Sequence, residues 1–160
     1  MKRIGPVCIA IVFVLLLCNV ASATNWVLVM KVNGWGSDSD AHGFSVYIDA
    51  DSVMRSGDTI SFWMLQVYNF PDPLLQNKQK NLTKIEAKPL TNPLQYRNVE
   101  LYSYDATGKE ILARPDFYDK KFDGYESDVS IWVRSIPIAT RYAKRGTIGK
   151  NNTPKPKLNP

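Results

Sequence analysis

Cysteine and histidine are nearly missing from this 160-residue chain. Its two cysteines, Cys8 and Cys18, both lie in the first 23 residues, and His42 is its only histidine. A zinc site draws on several Cys and His ligands, and a Ser-His-Asp triad needs its base, so neither has convincing raw material here. Without the first 23 residues the chain has no disulfide and no thiol nucleophile. Long hydrophobic runs are equally scarce. The candidate, Val7 to Leu17, is short of the roughly 20 residues that a membrane-spanning helix needs. Acids are missing from one region. Residues 134–160 hold seven Lys/Arg and no Asp or Glu, whereas residues 24–133 hold eleven Lys/Arg against fifteen acids.

The N-terminus is tripartite. Lys2 and Arg3 precede the apolar run, and Ala21-Ser22-Ala23 is a small-x-small site. That pattern predicts a secretory signal peptide over 1–23, cleaved between Ala23 and Thr24. The rivals are a retained anchor and lipidation at Cys18, which the bulky Leu17 before it disfavours. The remaining 137 residues suffice for one domain with a real core. An exported domain without disulfides is held by packing alone, which suits the periplasm or outer cell surface of a bacterium.

The chain is organised around Tyr47 to Tyr68, two antiparallel strands joined by a polar corner. Ile60, Phe62 and Met64 alternate with Trp63, Leu65 and Val67, because strand side chains point to opposite faces in turn. A strand apolar on both sides belongs in the middle of a sheet that is covered twice. Ser56-Gly57-Asp58 punctuates the corner.

Thr24 to Lys31 reads as a first strand, and 33–43 as a loop. Asp38 and Asp40 alternate there without the register of a calcium loop. Pro71 and Pro73 should end the organising strand, and Leu75 to Asn81 should be a mobile connector. Leu82 to Lys88 reads as a half-exposed strand, with Ile85 and Ala87 opposed to Lys84, Glu86 and Lys88. Gln95 to Tyr104 is a long strand that turns at Asp105–Lys109, with Gly108 in the left-handed position, into a return strand from Glu110. Residues 114–130 show no clear period, and Ile131-Trp-Val133 reads as a short strand. Ser135 to Gly146 should be a helix with Pro137 in its first turn, Lys144 and Arg145 in its last, and Ile138, Ala139 and Tyr142 facing the sheet. Residues 150–160 read as a disordered basic tail that adds almost nothing to stability. The predicted fold is α+β: an antiparallel β-sheet of about five to six strands with a C-terminal helix packed on one face, over residues 24–149.

The stretch Tyr47-Ile-Asp-x-x-Ser-Val-x-Arg-x-Gly-Asp-x-Ile-x-Phe-Trp63 resembles the core motif of the surface-adhesin protein E family of Gram-negative bacteria. Trp26, the Tyr96-Arg97 strand and the late helix stand in similar order. The likeness covers residues 25–146, and only the hairpin is specific. Members place one cysteine before the Tyr-Arg strand and another at the end of the helix; Pro89–Leu94 and Ala143–Gly146 contain none. The resemblance implies an antiparallel sheet with a helix on one side, an envelope location, and binding of host extracellular-matrix proteins. It marks Tyr47, Asp49, Ser52, Arg55, Gly57 and Trp63 as structural motif residues.

The functional expectation is therefore a non-enzymatic binding or adhesion module, with no catalytic residue, cofactor or metal, no nucleic-acid partner and no span in the mature chain. A dimer is compatible with it. The aromatics Trp35, Tyr102, Tyr104, Tyr118 and Tyr125 are candidate contact residues, although tyrosine is also ordinary sheet packing. One alternative is a periplasmic structural or chaperone-like protein that offers a sheet edge to a partner strand, whose sign would be an unpaired, uncharged edge. Another is a hydrolase working through Asp49 and Asp51 or Asp116 and Asp119. Acids at such spacing in a turn more often cap backbone amides. Asn81-Leu-Thr83 and Asn151-Asn-Thr153 match a glycosylation acceptor that means little in a bacterial chain.

Overall fold

A computed structural model describes residues 24–33, 43–72, 76–115, 123–125, 131–146, 148 and 154–159, with the side chains of 123–125, 132 and 133 left aside. Residues 1–23, with the expected cleavage after Ala23, and Trp35, Asp38, Asp40, His42, Asp116, Tyr118 and Asp119 lie outside the described residues. In chain order the elements are β1 (Trp26–Val32), β2 (Phe44–Asp49), a 3-10 turn (Ala50–Ser52), β3 (Met54–Ser56), β4 (Thr59–Asp72), β5 (Lys78–Lys88), β6 (Leu94–Asp105), β7 (Glu110–Arg114), β8 (Asp123–Tyr125), α1 (Ile131–Tyr142) and β9 (Lys144–Arg145).

The expected antiparallel sheet with one helix is present among the described residues, but it has nine strands rather than five to six. Its path is β1-β2-β4-β5-β6-β7, with β3 and β8 laid on β4 and β6, and β9 on β3. Among the described residues only the β3–β9 pairing is parallel. The surplus strands β3, β8 and β9 are two or three residues long, too short to show an alternation.

β4 is central, as its two-sided apolar pattern requires. It pairs with β2 and β3 on one side and β5 on the other. Ile60, Phe62 and Met64 enter one core with Val46, Ile48, Val53, Ile85, Ala87 and Tyr96, closed by Ile136 and Ala139 of α1. Trp63 and Leu65 enter a second core with Leu82 and Tyr104, against which Trp26, Tyr47, Val67, Tyr102 and Leu158 pack. Burying one such side chain contributes about 1.5–3 kcal/mol, so β4 anchors both faces.

Several local expectations need correction. Ile131-Trp-Val133 is the first turn of α1, not a strand. Pro137 therefore sits inside the helix, where Ser135 Oγ donates to the Ile131 carbonyl (2.9 Å) and Thr140 Oγ1 to that of Ile136 (2.8 Å). Lys144 and Arg145 lie beyond the helix: Lys144 N–H donates to the Val53 carbonyl and Gly146 N–H to that of Arg55. Ile136 and Ala139 are buried and Ile138 packs beside them, whereas Tyr142, expected to face the sheet, is 40% exposed. Lys78 to Asn81 belong to β5 rather than to a connector, because Gln76 and Asn77 turn the chain with positive φ (55° and 57°). β4 continues to Asp72 despite Pro71, with an irregular pairing between Val67 and Asp72 that leaves no ladder bond for the proline to donate.

Candidate functional site

Tyr47, Asp49, Ser52, Arg55, Gly57 and Trp63 lie at and beside the corner between β2 and β4. Asp49 ends β2, and its Oδ1 accepts the Asp51 N–H at 3.1 Å, capping the 3-10 turn. Ser52 Oγ donates to the Asp49 carbonyl (2.7 Å) and accepts the Trp63 N–H (3.0 Å), which locks the corner onto β4. Gly57 supplies φ +60° at the tip, with open space where a Cβ would stand. Arg55 lies on β3, opposite Ile60 and beside Arg145. Tyr47 is registered between Leu28 and Leu65. Asp49, Ser52 and Trp63 are thus brought together as architecture; Asp49 caps the turn, while Asp51 bonds Lys144 at 3.2 Å. Burial raises the Asp49 carboxyl above its ordinary value, against the turn amide that lowers it.

The chemically distinctive surface is the second face of the sheet. Its register rows run Leu28–Tyr47–Leu65–Leu82–Tyr102 and Trp63–Lys84–Glu100. Lys84 was expected on an exposed face, yet its side chain is 2% exposed. Its ammonium bonds Glu100 at 3.1 Å and lies 5.7 Å from the centroid of the Trp63 ring. Tyr102 Oη donates to the other Glu100 oxygen (3.0 Å), and its ring tilts against Trp63 at 6.0 Å. Burial, then the hydrogen bond to Glu100, push the Tyr102 hydroxyl up to about 12.

Residues 154–159 close this face, which corrects the expectation of an unattached tail. Trp26 Nε1 donates to the Lys157 carbonyl (3.0 Å), Lys80 Nζ to that of Leu158 (3.3 Å), and Lys157 N–H to Thr24 Oγ1 (3.2 Å). Lys155 bonds Glu110 at 2.6 Å and stands 3.8 Å over the Tyr102 ring and 5.0 Å over that of Tyr104. One short segment therefore touches both edge regions, Thr24 and Trp26 at β1 and Glu110 on β7. Pro154 and Pro156, with Lys155 and Lys157, wall a cleft of about 260 Å³ over Thr24, Asp49, Asp51 and Ser52. Burial pulls the Lys155 ammonium down, but the bond to Glu110 and the nearby Tyr104 raise it above its ordinary value. The segment lacks an apolar run, so its pattern carried no folding signal. Its sign was subtler: prolines alternating with lysines in a chain rich in sheet aromatics.

Each of these contacts is weak alone. An exposed ion pair contributes about 0–1 kcal/mol and an exposed cation–π contact about 0.5–1 kcal/mol. Fixing a residue costs about 1–2 kcal/mol. Prolines reduce that cost because their φ is already restricted. The docking balance is close.

Fold and site define a class: an antiparallel sheet covered by a helix on one side and by an extended proline–lysine segment on the other. Among the described residues no three His, Cys, Asp or Glu side chains gather to hold a metal ion, and no helix is long and apolar enough to cross a membrane. Comparison with family models, curated proteins and solved structures finds no match for the chain.

Proposed function

We propose that this chain is an exported bacterial envelope protein acting as a non-enzymatic binding or adhesion module of the surface-adhesin protein E kind. The observation that carries the reading is the aromatic sheet face floored by Trp63, Tyr102 and Tyr104, with Trp26 and Tyr47 packed against it. It holds an irregular peptide segment through carbonyl bonds and a lysine cradle, which is chemistry for contact and not for turnover. The motif Tyr47 to Trp63 supports the family assignment, and the tripartite N-terminus supports export to the periplasm or outer surface. The partners on this reading are host extracellular-matrix or envelope proteins.

The test is surface plasmon resonance of the mature chain against purified extracellular-matrix glycoproteins and against fractionated envelope proteins. Saturable binding below about 1 μM, in the range of specific complexes, supports the reading. Flat traces across both sets sink it.

A second reading has an observation of its own. β1 lies at the end of the sheet path, carries only Lys31 as a charge, and has no second strand partner among the described residues. Such an edge can accept a partner strand. Its pairing with β2 slips between Leu28 and Met30, an irregularity of the kind that blunts edges, so the aromatic face remains the preferred surface.

A further inference from the structure

We infer that the aromatic face is a groove for an extended segment of a partner protein in which prolines alternate with lysines, and that residues 154–159 are its built-in, displaceable occupant. The inference deepens the binding reading and rests on it.

The groove reads a peptide in three ways. Trp26 Nε1 and Lys80 Nζ each donate to a main-chain carbonyl of the occupant, and Thr24 Oγ1 accepts a main-chain N–H. Those three bonds are open to any extended segment. Glu110 with the Tyr102 and Tyr104 rings then forms a cradle that selects a cation on a long stem. Leu158, three residues beyond Lys155, packs against the cluster of Trp63, Leu65, Leu82 and Tyr104. Prolines on either side of the lysine keep such a segment extended before it binds, which lowers the entropy lost on docking. Together these parts recognise Pro-Lys-Pro-x-Leu.

The occupant can leave without unfolding what precedes it. Gly146 is held to the Arg55 carbonyl, and seven residues, 147–153, separate it from Pro154. The lysine of the cradle and its carboxylate are themselves open to water, at 36% and 40% exposure, so screening keeps their pairing weak. A tethered segment competes at an effective concentration on the order of millimolar. An identical segment from a second copy gains no advantage over it at lower protein concentration. A partner segment can gain one by running past the occupant onto Leu28, which is 53% exposed on the row it shares with Tyr47 and Leu65.

The test uses the full mature chain and a labelled peptide of residues 153–160, followed by fluorescence anisotropy. Wild-type chain, Lys155→Ala/Leu158→Ala chain with its own segment loosened, and the same double variant carrying Glu110→Lys are compared. If the segment docks most of the time, the loosened chain binds the peptide about tenfold more tightly than wild type, and Glu110→Lys removes that gain. A peptide with both lysines replaced by glutamate does not bind. Equal affinity of wild type and loosened chain, or indifference to Glu110→Lys, overturns the inference. So does a wild-type dimer in sedimentation that Leu158→Ala abolishes, since the groove would then serve a second copy. Failure with the peptide while matrix proteins still bind removes this inference alone. Failure of both removes the binding reading with it.

Discussion

Lys84 offers the most discriminating perturbation, because it is a lysine held at 2% exposure beneath a covered sheet face. Its ammonium is 3.1 Å from Glu100, whose side chain is 15% exposed. At an effective dielectric of about 20 the bare attraction at this distance is about 5 kcal/mol. Desolvation of both charges offsets most of that, so the pair as a whole contributes little. Removing one partner is different, because the other charge is left in a site built for two. Lys84→Met keeps the stem and loses the charge, leaving Glu100 with the Tyr102 hydroxyl. We expect a loss of about 3 kcal/mol, the low end for breaking a buried pair, since Glu100 keeps some access to water. The double variant Lys84→Met/Glu100→Leu should return to within about 1 kcal/mol of wild type, giving a coupling of about 2 kcal/mol or more. Urea unfolding by tryptophan fluorescence reads all four corners of the cycle, with unchanged slopes confirming that only stability moved. A loss below about 0.5 kcal/mol for Lys84→Met would refute the argument. It would mean that Lys84 is solvated rather than held dry between Trp63 and Glu100.

Three further outcomes are expected. Phe62→Ala and Trp63→Ala, buried at 0% and 1% exposure on opposite faces, should each cost about 3–5 kcal/mol in urea midpoint experiments; a near-wild-type midpoint for either would show that its face is open. Asp49→Asn keeps a good cap and removes an ionisation that folding disfavours: burial raises the carboxyl in the folded state, so wild-type stability declines as pH rises from the ordinary carboxylate value through the raised one. Asn should match or exceed wild type at pH 7 and flatten that decline in thermal melts, whereas equal slopes would place Asp49 in water. Tyr102 is neutral in the fold up to about 12 against 10.0 ordinarily, and Lys155 stays charged above its ordinary value. The Tyr102 contribution is complete below pH 10 and fades as pH climbs toward 12, and that of Lys155 fades as pH rises through its raised value. Tyrosinate absorbance and melting curves of wild type and Tyr102→Phe between pH 9 and 12 should diverge, and coincident curves would reject the buried Tyr102–Glu100 bond.

The hairpin was legible because it is written in local chemistry. Gly57 and the Asp49–Ser52 turn set the corner, and the unbroken apolar run of 62–65, flanked by Ile60 and Val67, reads as a strand with two covered faces. The same holds for the Asp105–Lys109 turn, where Asp105 Oδ1 collects the N–H groups of Thr107 and Lys109 at 2.9 Å each. Helix α1 was legible in kind but not in phase. Its exit at Ala143 leads into the β3–β9 bridge, which joins residues about 90 positions apart. The candidate site was the least legible part. Lys84 reads as a solvent-facing residue in any alternation, and Pro154 to Asn159 reads as a segment with nothing to bury. What reverses both is their meeting across the sheet: Glu100 and Trp63 come to Lys84 through strand register, and Glu110, Tyr102 and Tyr104 come to Lys155 from strands far upstream. The sequence by itself determined the alternating faces, the turns and the thin supply of catalytic side chains, all of which act over a few residues. Tertiary structure alone decided which polar groups lost their water, because desolvation depends on what packs from elsewhere in the chain and leaves no mark at the residue itself.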